Sequence, residues 1–360
     1  MKKRNRKWLA LMLACMMVLA ACGGNTTAGT SASQAASAAS EVASAADTSA
    51  AEDTSAAEDT SAAEDTSAAE DTAEAPEGES VTVTDQTGRT VTIPQPVERV
   101  VALQPSDCEI IFAVGAGDLL VGRGTYADYP AEVLAIEEVQ SGMETNVEQI
   151  IALDPQVVFM TTMAQSEEQI AQLEEAGIQV VVSETTDIAG VYDSVLLIGE
   201  ALGRLPEAEQ VVQDMKDAFA EIEANPVGDG TQTVYFEVSP LEWGLMAAGG
   251  GTFMDEIATM MGLTNAFHDE PSWASISEEQ LIERDPDYIV TITMYFGEGP
   301  TPEEEIMSRP GWENMKAVQN GAILNLQNNE LSRPAPRLVE GAQLLYDFVI
   351  ELQEELKEAA

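Results

Sequence analysis

The sequence has one histidine and three cysteines, and each scarcity argues against a class of function. Sites for bare zinc or manganese need several imidazole or carboxylate ligands around one ion, so a single histidine argues against them. A Ser-His-Asp hydrolase would have to use His268, and no nucleophile-elbow or phosphate-loop motif accompanies it. We therefore expect no catalytic residues, no resident metal and no enzyme activity.

The cysteines are Cys15, Cys22 and Cys108. Only Cys108 lies outside the N-terminal segment, so an exported domain would have no internal disulfide. Its neighbours Asp107 and Glu109 would raise the pKa of the thiol, and we do not expect a catalytic thiolate.

Basic residues are scarce as well: 16 Lys and Arg stand against 63 Asp and Glu, a formal net charge of −47. The excess of acid persists when residues 1–80 are left out. A nucleic-acid partner needs a basic face, so we expect no nucleic-acid binding.

Residues 1–22 have the pattern of an export signal. Several Lys and Arg residues precede an apolar run, Trp8 to Ala20, that is too short for a comfortable transmembrane helix. The run ends in Leu19-Ala-Ala-Cys22-Gly, which resembles the lipobox of bacterial lipoproteins. That resemblance implies lipidation of Cys22 and anchoring to the outer face of the cytoplasmic membrane, in a Gram-positive-type bacterium; an ordinary secretory signal is the alternative.

Residues 23–80 consist almost entirely of Ala, Ser, Thr, Glu and Asp, with four copies of Thr-Ser-Ala-Ala-Glu-Asp between Thr48 and Asp71. Such a segment can bury little apolar surface, so we expect a disordered acidic tether. As a flexible coil it would hold the next domain on the order of 40 Å from the membrane.

The span Ile188–Asn225 shows apolar residues at steps of three and four, with one break at Leu205-Pro206. This period is typical of one face of a helix, and it predicts two abutting helices that form one strut. Similar segments flank the span: Asn146-Val-Glu-Gln-Ile-Ile-Ala-Leu-Asp-Pro155 before it and Ser277-Glu-Glu-Gln-Leu-Ile-Glu-Arg-Asp-Pro286 after it. A second related pair, which begins at Glu109 and Glu256, precedes each copy in the same order. We therefore expect two similar half-molecules.

Strands and helices alternate along the folded chain, which predicts an α/β fold of two Rossmann-like lobes with mainly parallel sheets. The expected boundaries are 81–187 for the N-terminal lobe, 188–225 for the connecting helices and 226–360 for the C-terminal lobe. In this interpretation Ser106 caps the first helix, and residues 122–130 form a loop.

With these residues in view, the chain resembles the substrate-binding proteins that serve ABC importers of ferric siderophores, haem and vitamin B12. The motifs that carry the resemblance are Asp85-x-x-Gly88-Arg89, Tyr126-Ala-Asp128-Tyr-Pro130, Asn146-Val-Glu148, Asp285-Pro-Asp287, Pro310-Gly-Trp312 and Arg333-Pro-x-Pro-Arg337. The resemblance implies the class III fold, in which a long rigid helix joins the lobes and a ligand is held between their loops. It also implies a monomer without a cofactor, whose partners are a permease dimer and its ATPase subunits.

Ligands of parallel sheets gather outside the carboxyl ends of the strands, and the loops expected there carry aromatic and arginine side chains. Trp and Tyr can cover the flat face of a chelate, and a guanidinium can bind a ligand carboxylate. Ordinary packing of the aromatic residues and a surface salt bridge for Arg337 are the alternatives. The predicted ligand-binding residues are Tyr126, Tyr129, Met143, Met163, Trp243, Trp273, Tyr295, Arg333 and Arg337.

Glu148 and Glu279 occupy equivalent positions in the two repeats, each two residues after a plausible N-cap. Glutamate favours a helix N-terminus for electrostatic reasons alone, and Gln149 and Gln280 could complete capping boxes. The resemblance implies a further role, because one glutamate at the tip of each lobe of such proteins docks onto permease arginines.

The choice of ligand stays open in the sequence. Ferric catecholates are strongly anionic, and few arginines are available, so we place a corrinoid or another siderophore first. Met143 resembles an iron ligand of haem-binding members, with His268 as a conceivable opposing ligand, and haem is therefore an alternative. A surface glycosidase with paired carboxylates and a purely structural lipoprotein are the rival classes.

Overall fold

The computed structural model describes residues 79–359, apart from residues 143, 163–164 and 328. The predicted signal peptide, the lipidation site at Cys22 and nearly all of the predicted tether lie outside the described residues. Within them, every helix is too short or too polar to cross a bilayer.

The first half of the described chain forms a five-stranded parallel sheet, which we call the N-terminal lobe together with its helices. Its central strands are short runs of apolar residues that are buried on both faces, as expected for a parallel sheet covered by helices. The strand order is β5-β4-β3-β6-β7, and β1 and β2 form a separate antiparallel hairpin. The elements are β1 (Ser80–Thr84), β2 (Thr90–Pro94), β3 (Val100–Ala102), α1 (Pro105–Ala113), β4 (Leu120–Gly124), β5 (Glu138–Val139), α2 (Val147–Ala152), β6 (Val157–Met160), α3 (Glu167–Glu175) and β7 (Gln179–Val182).

Two helices follow, α4 (Ile188–Ala201) and α5 (Leu205–Ala224). They lie side by side and antiparallel, because Lys216 sits over the ring of Tyr192 at 5.0 Å while Gly199 packs against Ala208. The two helices predicted from the Leu205-Pro206 break are confirmed, but they fold back on each other instead of following end to end. The chain reverses at Gly203, whose φ of +66° is left-handed and suits glycine. The element of strut length is α5 alone, 20 residues or about 30 Å.

The second half forms a mixed sheet, which we call the C-terminal lobe together with its helices. The strand order is β11-β9-β8-β12-β13, with β10 paired to β8. β8, β10, β12 and β13 are mutually parallel, and β9 runs antiparallel to both of its neighbours, β8 and β11. The sheet is thus mainly parallel, as predicted, with one reversed strand. The elements are β8 (Thr233–Ser239), β9 (Met246–Ala248), α6 (Phe253–Met260), β10 (Thr264–Asn265), β11 (Trp273–Ser275), α7 (Glu278–Arg284), β12 (Tyr288–Thr291), α8 (Pro302–Met307), α9 (Lys316–Gln319), β13 (Ile323–Asn325) and α10 (Leu338–Ala359).

The internal repeat predicted from the two Asp-Pro segments is confirmed. α2 leads into β6 and α7 leads into β12, and these strands hold the same place, next to the central strand of each sheet. Asp154 and Asp285 also adopt the same left-handed backbone, with φ of 48° and 43°. Each aspartate precedes a proline, so each helix stops at the same point and turns into its strand.

The helical pair joins the two hydrophobic cores. Val195 and Ile198 of α4 and Val212 of α5 belong to the core of the N-terminal lobe. Met215 and Phe219, further along α5, belong to the core of the C-terminal lobe. A hinge at the pair would therefore disturb packed apolar side chains in both lobes.

The contact between Gly199 and Ala208 yields a stability prediction. A Cβ atom at Gly199 would lie 2.3 Å from the Cβ of Ala208. We expect Gly199→Ala to destabilise the protein by about 1–3 kcal/mol through overpacking, although alanine favours an isolated helix. Urea denaturation measures the effect. Because Ala208→Gly removes the opposing methyl group, G199A/A208G should be more stable than the sum of the single changes predicts; strict additivity would contradict this packing.

Candidate functional site

A cavity of about 370 Å³ lies between the two lobes, and we call it the cleft. Its N-terminal wall comes from the residues that follow β3, β6 and β7, which are neighbouring parallel strands. The carboxyl ends of such strands meet at one edge of the sheet, where ligands of α/β proteins gather. The residues that line the cleft include Ser106, Asp107, Thr161, Ser183 and Glu184 from the N-terminal lobe, Phe253 and Trp273 from the C-terminal lobe, and Ser332 and Pro334 from the segment before α10.

Asp107 lies in the first turn of α1 at the floor of the cleft, and its side chain is almost fully buried. The hydroxyl of Ser183 donates a hydrogen bond to Oδ1 of Asp107 at 2.5 Å, whereas Oδ2 of Asp107 has no hydrogen-bond partner. Burial raises the pKa of Asp107 to about 7, and the Ser183 hydrogen bond opposes that rise. The expected cap role of Ser106 was wrong: Gln104 is the N-cap residue, and Pro105 opens the helix.

The rest of the N-terminal wall is acidic and rich in hydroxyl groups. Glu184 accepts hydrogen bonds from the backbone N–H and the hydroxyl of Thr162, and from the hydroxyl of Thr161 at 3.4 Å. Among the described residues that line the cleft, none is Lys, Arg or His. The cleft therefore offers hydrogen-bond acceptors and negative charge, and an anionic ligand group would meet no opposite charge there.

The C-terminal wall is aromatic. Phe253 and Trp273 meet edge to face, with ring centroids 5.5 Å apart. The backbone N–H of Phe253, the first residue of α6, donates to the carbonyl of Thr186 at 2.7 Å, which ties this wall to the segment after β7. Of the predicted ligand-binding residues that the structure describes, Trp273 is the one that lines the cleft.

Arg333 and Arg337 take part in buried ion pairs that fix the segment before α10 to the N-terminal lobe. Arg333 contacts Glu109 at 3.0 Å and Asp128 at 2.6 Å. Arg337 contacts Glu109 at 3.5 Å and Glu330 at 2.6 Å. Burial raises the pKa of Glu109, and Arg333 opposes that rise. Both guanidinium groups are thus committed to carboxylates of the protein, and their predicted role toward a ligand stays a prediction.

Tyr129 and Arg337 come together, but outside the cleft. The guanidinium of Arg337 stacks on the ring of Tyr129 at 3.8 Å from its centroid. With Glu109 and Phe112 they border a separate cavity of about 330 Å³. Cation–π stacking of this kind is a structural contact, as well as a possible binding element.

The other predicted aromatic residues lie on loops that face solvent. The side chain of Trp243 is 79% exposed and that of Tyr126 is 61% exposed. Tyr295 donates to the carbonyl of Gly299 at 3.3 Å and borders a surface cavity of about 440 Å³ with the exposed Phe296. None of them is among the described residues of the cleft wall, and Met143 and Met163 lie outside the described residues.

His268 and Cys108 are both held in structural contacts: His268 pairs with a carboxylate, and Cys108 is buried. Nδ1 of His268 contacts the carboxylate of Asp255 at 3.0 Å, which raises the pKa of the exposed imidazole. Burial, followed by the charge of Asp107, raises the pKa of Cys108, so the thiol stays protonated. Across the described residues, no group of three or more His, Cys, Asp or Glu could hold a metal ion.

Glu148 and Glu279 both lie exposed in the first turn of their helices, as the repeat predicted. Ser277 and Gln280 form the complete capping box expected of α7. The box expected of α2 is incomplete: Asn146 caps the helix, but the side-chain amide of Gln149 donates to the carbonyl of Glu138 instead. The backbone N–H of Glu279 itself, and then Ser277, lower the pKa of Glu279.

Sequence reasoning missed Asp107, Ser183, Glu184 and Phe253 as cleft residues. Ser183 and Glu184 follow Val182, the last residue of β7, so they too lie at the carboxyl end of a parallel strand. A buried strand of four residues ending at Val182 was the signal that could have found them.

Comparison with known proteins agrees with this architecture. A model of the periplasmic binding protein family matches residues 100–330. The uncharacterized ABC transporter substrate-binding lipoprotein YvrC of Bacillus subtilis is 33% identical over 275 residues, 75% of this chain and 85% of that protein. The vitamin B12-binding protein of Salmonella choleraesuis is 27% identical over 250 residues, 69% of this chain and 88% of that protein.

Solved structures show the same fold. A possible iron-binding (periplasmic solute-binding) protein of Staphylococcus epidermidis superposes with a TM-score of 0.60 at 29% identity, covering 71% of this chain and 99% of its own. The periplasmic haem-binding protein HutB of Vibrio cholerae has a TM-score of 0.63 at 19% identity, covering 70% and 98%. The chain belongs to the periplasmic binding protein family and has the class III fold of the substrate-binding proteins that serve ABC importers.

Proposed function

We propose that the protein captures a metal chelate in the cleft and delivers it to an ABC permease from an anchored position outside the cytoplasmic membrane. The observation that carries the proposal is the cleft itself, because its walls come from both lobes of a substrate-binding fold. A ligand held there would contact both lobes at once and would stabilise them in one relative arrangement.

The volume of the cleft favours a ligand that is gripped over part of its surface. About 370 Å³ is near the lower end of the range for small-molecule sites, roughly 300–1,000 Å³. A corrinoid or a ferric siderophore would therefore extend out of the cleft. The exposed rings of Tyr126, Trp243 and Phe296, together with the half-buried Tyr295, provide apolar surface on the loops to cover the remainder.

A corrinoid or a siderophore remains the preferred cargo over haem. Relatives of this chain include proteins named for vitamin B12 and for iron. Met143, the predicted ligand of haem iron, lies outside the described residues, and the imidazole of His268 is engaged by Asp255 away from the cleft wall. The B12 and siderophore alternatives share a bulky chelate with polar edges, which suits a cleft with one hydroxyl-rich wall and one aromatic wall.

Anchoring is the second part of the proposal. The lipobox pattern at Cys22 and the lipoprotein relative YvrC support a lipid anchor. The acidic segment 23–80 would then act as a spacer between anchor and lobes. Its charge disfavours adsorption to an anionic membrane surface and keeps the lobes free to meet the permease.

A thermal-shift panel tests the capture of a chelate. We expect cyanocobalamin or a ferric hydroxamate siderophore to stabilise the protein, by about 2.7 kcal/mol at one hundred times its dissociation constant. A panel of free metal ions and of oligosaccharides serves as the control. Stabilisation by an oligosaccharide together with its hydrolysis would instead support the glycosidase alternative.

Docking on the permease is assigned to Glu148 and Glu279. Both carboxylates are exposed, both stand in the first turn of a helix, and both helices precede equivalent strands of the two sheets. Two acids related by an internal repeat match a permease built from two similar subunits. The lowered pKa of Glu279 keeps that carboxylate ionised for an arginine partner.

Charge reversal at both positions tests this docking. We expect Glu148→Lys with Glu279→Lys to abolish transport of the bound chelate by the cognate permease, while the affinity of the isolated protein for the chelate is unchanged. The matched control is Glu209→Lys with Glu221→Lys, which reverses two exposed charges on α5. Transport that survives the first pair, or fails equally with the control, would refute the assignment.

A further inference from the structure

Asp107 is the one fully buried carboxylate among the described residues of the cleft wall, and no cation is paired with it. Its side chain is 1% exposed and lines the cleft, yet Oδ2 has no hydrogen-bond partner. Glu184 is half-buried and bonded to threonines. Oε2 of Glu109 is also unpaired, but Glu109 lies outside the cleft wall and its charge is balanced by Arg333 and Arg337. A buried carboxylate oxygen without a partner is costly to the folded protein, and such groups are rare in native structures.

We infer that Asp107 is a specificity-determining residue of the cleft, whose free Oδ2 accepts an N–H donor, an amide or an ammonium, from a chelate that brings no anionic group to the cleft. The inference rests on the proposed capture of a chelate and names the chemistry that the cleft selects.

The charge of the cleft wall determines which ligand groups it favours. No positively charged side chain is among its described lining residues, and the nearby arginines are bound to carboxylates of the protein. A propionate of haem or a catecholate oxygen would lose water without gaining a cation and would face Asp107 and Glu184. An N–H donor has the opposite balance, because it would supply the hydrogen bond that Oδ2 lacks.

The surroundings of Asp107 also make this interaction dependent on pH. The titratable group that shares the cleft wall with it is Glu184 after β7, and Cys108 is its neighbour on α1, where Arg123 and Glu109 act on the thiol. The α4 helix and the segment before α10 present Ser194 and Ser332. Because the pKa of Asp107 is raised to about 7 by burial, its ionised form is only partly populated near neutral pH. A donor favours that form, so binding should strengthen between pH 6 and pH 8.5.

Two kinds of chelate carry such donors, and one experiment separates them. Cyanocobalamin presents neutral amide groups, whereas ferrioxamine B presents an ammonium group that acetylation converts to a neutral amide. Titrations of the full-length protein would use cyanocobalamin, ferrioxamine B, N-acetyl ferrioxamine B and haem. The variants are Asp107→Asn and, as a matched control, Asp118→Asn, which changes an exposed aspartate just after α1.

We expect the wild-type protein to bind cyanocobalamin or ferrioxamine B, and Asp107→Asn to weaken that binding by about 10- to 100-fold and abolish its pH dependence. D118N should bind like the wild type. If ferrioxamine B is the ligand, acetylation should weaken binding to the wild type but not to D107N. If cyanocobalamin is the ligand, the donor to Asp107 is a neutral amide and not an ammonium group.

A melting curve shows whether the asparagine variant is folded and whether Asp107 is strained. The pKa of Asp107 is raised above its unfolded value, so its contribution to stability is present in full below about pH 4 and is lost as pH rises through about 7. D107N removes that loss. We therefore expect a higher melting temperature for D107N than for the wild type at pH 8.5, and similar melting temperatures at pH 4.

The outcomes separate the inference from the function on which it rests. Tighter binding of haem than of the donor-bearing chelates would overturn the inference while leaving chelate capture intact. Equal affinities of wild type and D107N for the bound chelate would overturn it as well. If none of these chelates binds to the wild type, capture of a chelate itself fails.

Discussion

The side-by-side packing of α4 and α5 is the contact on which the rest of the structure depends. Its side chains enter both hydrophobic cores, so the two lobes are held by apolar burial and not only by a flexible crossing. Gly199 sets how closely the helices approach, and Gly203 sets the reversal between them. A cleft formed between lobes joined in this way has nearly fixed walls, which suits a bulky and rigid ligand better than a small one that needs full enclosure.

The buried carboxylates near the cleft differ in whether a cation balances their charge. Glu109 is buried but neutralised by two arginines, and a pair of this kind organises the segment before α10 without favouring any ligand. Asp107, two residues earlier on the same helix, is buried with one oxygen unpaired. Stability alone would favour asparagine or an apolar residue there, so the aspartate indicates a site where folding stability is given up for recognition.

The sequence predicted the elements well where the signal was local. The Asp-Pro joints and the Ser277 capping box depend on neighbours within a few residues. It failed where partners are distant. Nothing near Arg333 indicates that Glu109 binds it, because the two residues are 224 positions apart. The fold-back of α4 on α5 was missed for a related reason, since periodicity shows which face is apolar but not what covers it.

The same limit explains why the predicted binding residues do not lie together in the structure. Aromatic and arginine residues were chosen for their chemistry, and the structure brings Trp273 to the cleft while Tyr129 and Arg337 pair with each other elsewhere. Three of the four overlooked residues, Asp107, Ser183 and Glu184, are small or acidic, and they matter because they lie just after β3 and β7. Proteins with this fold are named for vitamin B12, iron and haem. We therefore place specificity in those few strand-end side chains and not in the lobes that hold them. In this chain they are hydroxyls and carboxylates, and the cargo they favour is one that donates hydrogen bonds.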